Sequence, residues 1–467
     1  MSTPDDEPTA AVEPADPVAG PAPRAHRSRR PIALLTAALL AVVAGATAIE
    51  LRGAPAPSAA PGRPTSVSPT TTPPQLRATP DADQRRVSAL QALLAARSRA
   101  VLGADKRAWL ATIDPQATAF RQRQAQVFDN LRGVPFSDFS YEFDGVAGPL
   151  SAPRRRQLGP TAWVARVVAD YRIQGYDRSP SQTEQYLTSV QRNGRWYLAS
   201  DTDGATDPQL WDLGPVGVVR GAHVLVIGTA DVATLHSYVA QGDAAIGRVT
   251  QVWGQNWPRR AVLVVPSTQD QMGQLLKRTD GLDQIAAVTV GELSSDGSGA
   301  AGSDRVVINP AAFARLGGTG RRVVLTHELT HVAVRASTSA PVPIWLSEGF
   351  ADYVGYQGVD LGRRTVAADE LALVRQGEGF TRLPTVEDFD PSRTTIAPAY
   401  SAAWLACSLI ADRYGQQALV RLYRTAATSH VGNPDLALSQ AFVSVLGTSQ
   451  AAFTKSWLAY MRQLAES

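Results

Sequence analysis

Residues 321–336 read RRVVLTHELTHVAVRA, and the rest of the chain is read outward from this stretch. Its apolar residues recur with helical spacing, and the breaker run GGTG at 317–320 opens the helix. Inside it, His327-Glu328-Leu329-Thr330-His331 has the form HExxH. A spacing of four sets both imidazoles on one helical face, about one turn apart, so they can share a cation. Glu328 flanks that face, within reach of a water at an open coordination position, where a general base belongs.

Two imidazoles leave a catalytic zinc short of a third protein ligand. The version with a third histidine, HExxHxxGxxH, fails because Val334 and Ser337 stand where its Gly and His belong. The alternative is a glutamate on a following helix. Residues 343–353 read PIWLSEGFADY, with Glu348 and Asp352 four apart and facing the same way. Glu348 can complete the metal site. Asp352 can accept the outer N–H of a histidine ligand, His327 first, and so set its tautomer.

HELTH followed by WLSEGFADY resembles the gluzincin metallopeptidases, and within them the peptidase MA-like branch, over about residues 215–467. The resemblance implies a thermolysin-like (zincin) catalytic domain with a small sheet and a helical half. It implies that zinc is held by His327, His331 and Glu348, that Glu328 activates water, and that Asp352 backs a histidine. Relatives in this group take an oxyanion donor from the helical half. The corresponding expectation here is Tyr400, in PAYSAAWLACSLIADRYG. They also pair a peptide or protein substrate with a sheet edge, for which 286–291 and 304–309 are the expected strands. The His331–Glu348 gap of 16 residues requires the loop ASTSAPVP to be compact.

Upstream, short apolar runs at 223–228, 261–266, 286–291 and 304–309 alternate with helical stretches, and almost everything after 310 is helical. This is an α+β layout. SSDGSGAAGS at 294–303 lacks the GxxxxGK[ST] that cradles phosphate and reads as a connection between strands. The Gly/Pro-rich segment 204–220 is the expected boundary between two folded units. Before it, Val87, Leu90, Leu94 and Val101 form one helical stripe, and Phe120, Val127, Phe128 and Leu131 a second. Strand patterns follow from about 136, with a hairpin signal at Asn193-Gly194. This order, closing on RWYLASD, resembles the cystatin-like cone of the nuclear-transport-factor-2 type over 81–203, with no acid/base constellation of its own.

Residues 1–30 read as a disordered cytoplasmic tail that turns basic at Arg24, Arg27, Arg29 and Arg30. Residues 31–49, PIALLTAALLAVVAGATAI, carry no charge. At about 1.5 Å per residue they approach the roughly 30 Å of a hydrocarbon core. The arginines ahead of them put the N-terminus inside and everything after residue 50 outside the cytoplasm, at the cell membrane. Ala46-Thr47-Ala48 leaves a cleaved signal peptide as the alternative. Residues 51–80, rich in Pro, Ser, Thr and Ala, read as an extended spacer.

The whole chain of 467 residues holds 45 Lys+Arg against 42 Asp+Glu, a net +3. That balance argues against a nucleic-acid surface. A single cysteine, Cys407, excludes an intrachain disulfide or a cysteine zinc site and reads as a core thiol. His223 and His236 read as structural, His430 as a loop residue, and Arg154-Arg155-Arg156 as a solvated loop. Composition says nothing of oligomeric state. Two functions follow from these readings: a membrane-anchored zinc peptidase, or a non-catalytic protein that binds envelope peptides or glycans on a peptidase scaffold.

Overall fold

A computed structural model describes residues 80–291, 302–429 and 431–467. The expected tail, span and spacer lie outside these residues, except for Pro80, which opens a helix. Among the described residues no single helix is long and apolar enough to cross a membrane.

The described residues form a mixed α+β fold with two sheets. The first is antiparallel, in the order β1 (Phe136–Val146), β2 (Trp163–Ile173), β3 (Ser181–Arg192) and β4 (Arg195–Ser200). β3 turns into β4 at Asn193 and Gly194, with φ of 49° and 80°. Both are positive, as the two-residue turn matching strand twist requires. Helix Pro80–Leu102 packs on this sheet, and Leu90, Leu94, Ile113, Trp163, Val167, Leu187 and Leu198 form a small core.

The second sheet has the order β5 (Gly217–Arg220), β6 (Val224–Gly228), β7 (Ala261–Val265), β9 (Arg305–Ile308) and β8 (Ala287–Val290). β6, β7 and β9 are parallel and buried throughout, which is why they read as unbroken apolar runs. β5 and β8 pair antiparallel at the two margins. One expectation changes here. Residues 304–309 supply no edge, because β9 lies between β7 and β8; of the two expected strands, β8 does. The segment 204–220, the expected boundary, is itself structured. It holds β5 and a short helix, Leu210–Leu213, and its Trp211 packs edge-on against Phe136 and Tyr171 at 5.6 and 5.4 Å. Its glycines and prolines masked Leu210 and Trp211 as core residues.

The main core runs without a break from Trp109, Phe128 and Trp211 through the second sheet into the helical half. Helix Val232–Trp253 crosses from β6 to β7 and packs on helix Gly318–Arg335, the motif helix. The motif helix is followed by the glutamate helix, Ile344–Gly355, and later by the tyrosine helix, Ala397–Tyr414.

Glu370, on helix Ala368–Gln376, is fully buried; Oε1 accepts the Phe380 N–H at 2.8 Å and Oε2 has no hydrogen-bond partner among the described residues. Burial raises its pKa from the ordinary 4.5 to about 7. A carboxyl protonated in the native state but ionised in the unfolded one costs stability as pH rises from 4.5 to 7. Over that window the cost accumulates to about 3 kcal/mol. Glu370→Gln is therefore expected to flatten the fall in thermal stability between pH 5 and 8, measured by calorimetry; an unchanged slope would refute it.

Candidate metal centre

The motif helix is buried on every side from Val323 to Val334, polar residues included. A helix covered all round belongs in the interior, so its histidines and glutamate must satisfy one another there. His327, Glu328, His331, Glu348 and Asp352 are each no more than 3 % exposed.

Three ligand atoms meet across two helices. His327 Nε2 and His331 Nε2 lie 3.1 Å apart, and Glu348 Oε2 lies 3.3 Å from the first and 3.5 Å from the second. Tetrahedral zinc with bonds of about 2.0–2.1 Å puts its ligand atoms about 3.3 Å apart, so this triangle fits that ion. Glu328 Oε1 is buried with no hydrogen-bond partner among the described residues, and the buried Glu348 carboxylate has the two imidazoles and the Tyr400 hydroxyl as its polar neighbours. Carboxylates buried this deeply are costly in a protein interior, and a cation between the three ligands would relieve that cost.

Asp352 Oδ1 lies 2.7 Å from His327 Nδ1. Burial pulls the His327 pKa down, but Asp352, Glu348 and Glu328 outweigh it and hold the imidazole well above its ordinary range. For Glu348 burial pushes upward, yet the two histidines bring the carboxylate down to about 2. Glu328 goes the other way: burial raises it despite His327, His331 and Thr289.

Thr289 was not singled out by its sequence, since it sits in an ordinary strand run. It lies on β8, and its hydroxyl is 2.7 Å from Glu328 Oε2 and 3.0 Å from Glu328 O. The contact pins one carboxylate oxygen and leaves Oε1 free.

Tyr400 stands beside this group. Its ring is 6.2 Å from the His327 ring and edge-on to Phe389 at 4.9 Å. Burial first, then Glu348, Asp352 and Glu328, hold its hydroxyl well above the ordinary tyrosine range, so it stays protonated.

The other sequence candidates lie elsewhere. His223 and His236 are exposed, away from the site. Arg154 sits on helix Ala152–Leu158 instead of a loop and pairs with Asp203 at 2.7 Å. Cys407 is fully buried on the tyrosine helix, and His430 lies outside the described residues. The loop between the motif and glutamate helices spans 336–343, and its backbone anchors on Ala427 O through the Ser339 and Ala340 N–H groups.

No protein-family model matches this chain, and no curated protein does. Among solved structures it is similar to a two-domain M1 zinc metallopeptidase bound to L-tryptophan, at 17 % identity and a TM-score of 0.30, over 64 % of this chain and 61 % of that one. It is also similar to the M1 zinc metallopeptidase from Deinococcus radiodurans, at 16 % identity and a TM-score of 0.33, over 69 % of each chain. These neighbours are zinc metallopeptidases, and the chain spans under two thirds of the length of the first.

Proposed function

We propose that this protein is a zinc-dependent peptidase of the gluzincin type, hydrolysing peptide bonds in peptides or proteins. One observation carries the reading: three buried ligand atoms converge in a zinc-sized triangle beside a general base with a free oxygen. His327, His331 and Glu348 would hold the ion. Bound there, zinc supplies a Lewis acid that brings the pKa of water from about 16 to about 7 and polarises a carbonyl.

The side chains do the rest. Glu328 takes a proton from water at Oε1 and delivers it to the departing amine nitrogen. Thr289 keeps Oε2 occupied, so Oε1 does the work. Asp352 holds the His327 proton on Nδ1 and turns the Nε2 lone pair inward. The protonated Tyr400 hydroxyl is the donor we assign to the developing oxyanion. We read 31–49 as a membrane anchor with 81–203 and 215–467 outside the cytoplasm.

The test is elemental analysis of the purified chain together with hydrolysis of a mixed peptide pool. About one zinc per chain, lost in His331→Ala, and cleavage abolished by a chelator and restored by zinc are expected. A folded, metal-free protein that binds peptide without cutting it would replace this reading with the binding-protein one. In Asp352→Asn, zinc affinity is expected to weaken about 10–100-fold, read by competition with a chelating dye; unaltered affinity would remove Asp352 from the site.

A further inference from the structure

The turn between β2 and β3 reaches across to the second sheet. Asp177 in that turn meets Arg305, the first residue of β9, in a two-pronged ion pair, Nη1–Oδ1 2.7 Å and Nη2–Oδ2 2.6 Å. Arg305 also donates to Ser181 Oγ at 3.0 Å. The Asp177 carboxylate accepts its own hairpin's Ile173 N–H at 2.7 Å, so the pair is anchored at both ends. Such paired donors fix geometry as well as contact. The Arg178 N–H donates to Gly302 O, and the Arg178 guanidinium to Ala336 O beyond the motif helix, each at 2.8 Å.

The chain of contacts continues inward. Asp304, next to Arg305, accepts from Arg335 Nε at 3.0 Å and Nη2 at 3.2 Å. Arg335 is the last residue of the motif helix, and its Nη2 also donates to Gly291 O, just past β8, at 2.7 Å. The joint is tight. A side chain on Gly302 would put its Cβ 2.6 Å from Ser179 Cβ and 2.7 Å from Ser179 N. The cavity left there, lined by Tyr176, Arg178, Arg260 and Asp304 among others, is about 20 Å³, enough for about one water.

We infer that the β2–β3 turn of the first unit is a positioning clamp: through Asp177, Arg305, Asp304 and Arg335 it holds the neck of the β8–β9 hairpin and thereby the edge strand on which a peptide pairs. The substrate part of this inference rests on the peptidase reading; the clamp itself does not. β8 offers its outer edge to no other strand among the described residues, so besides β9 and the Thr289–Glu328 contact to the motif helix this neck is what holds it.

The experiment is Asp177→Ala in the full chain, with amide hydrogen exchange along 287–291 and steady-state peptide hydrolysis. Exchange there is expected to quicken roughly tenfold. KM should rise about tenfold, with kcat within a few-fold and zinc content unchanged, since the change removes ground-state and transition-state binding alike. Asp177→Glu should recover most of the loss. If Asp177→Ala fails to fold, Arg178→Ala serves, with a smaller shift of the same kind. Unchanged exchange alongside normal hydrolysis overturns the clamp and leaves the peptidase reading standing. A fall in kcat at constant KM overturns the substrate-positioning role. Faster exchange in a protein whose parent cleaves no peptide supports the clamp and overturns the peptidase reading.

Discussion

In Glu328→Gln, peptide hydrolysis is expected to fall by about 10²–10⁴-fold in kcat, the range a positioned general base contributes, with zinc content expected to be unchanged. Glutamine fills the same volume, and its amide oxygen can accept the Thr289 hydroxyl as Oε2 does now. The position of Oε1 then holds an amide nitrogen, which cannot take a proton. Glu328 is not among the three converging ligand atoms, so the ion should remain. Single-turnover hydrolysis with zinc analysis on the same sample separates the two effects. Activity within a few-fold of the parent, with zinc present, would remove Glu328 from the chemistry.

Gly349→Ala is expected to damage fold and site together. Alanine normally stabilises a helix relative to glycine by about 0.5–1 kcal/mol. Here the added Cβ would meet the tyrosine helix, 2.6 Å from the Ala403 carbonyl carbon and 3.0 Å from Cys407 Sγ. The backbone contact cannot be relieved by turning a side chain, so the helices must separate. Overpacking of this kind costs about 1–3 kcal/mol and sometimes more, which outweighs the helical gain. Because Glu348 is the preceding residue, its oxygen leaves the triangle and zinc affinity falls with stability. Thermal unfolding and metal titration of one sample check both; a raised melting temperature with intact zinc binding would show that the two helices do not touch at Gly349.

Much of the architecture was legible in sequence because it rests on local periodicity. The apolar runs that became β6, β7, β8 and β9 and the helical half after 310 follow from spacing alone, as does the Asn193-Gly194 turn. The strand at 217–220 escaped notice because four residues between glycines and prolines carry too little pattern, and Trp211 escaped with it. The interior place of 305–308 was not readable, since strand order is a matter of which distant segments pair. Thr289 and Asp177 looked ordinary for the same reason: their partners stand 39 and 128 residues away.

What the chain settles by itself is the spacing of His327 and His331, one turn apart in any helix that HELTH forms. It settles as well that Glu348 and Asp352 share a face of theirs. Whether those two faces meet is decided by the tertiary structure. The glutamate helix lies against both the motif helix and the tyrosine helix, close enough at Gly349 to exclude a methyl group. Its packing on the motif helix brings Glu348 Oε2 to 3.3 and 3.5 Å from the imidazoles and Asp352 to His327. Local spacing follows from the geometry of a single helix, whereas convergence requires two helices to pack, and packing is a property of the whole core.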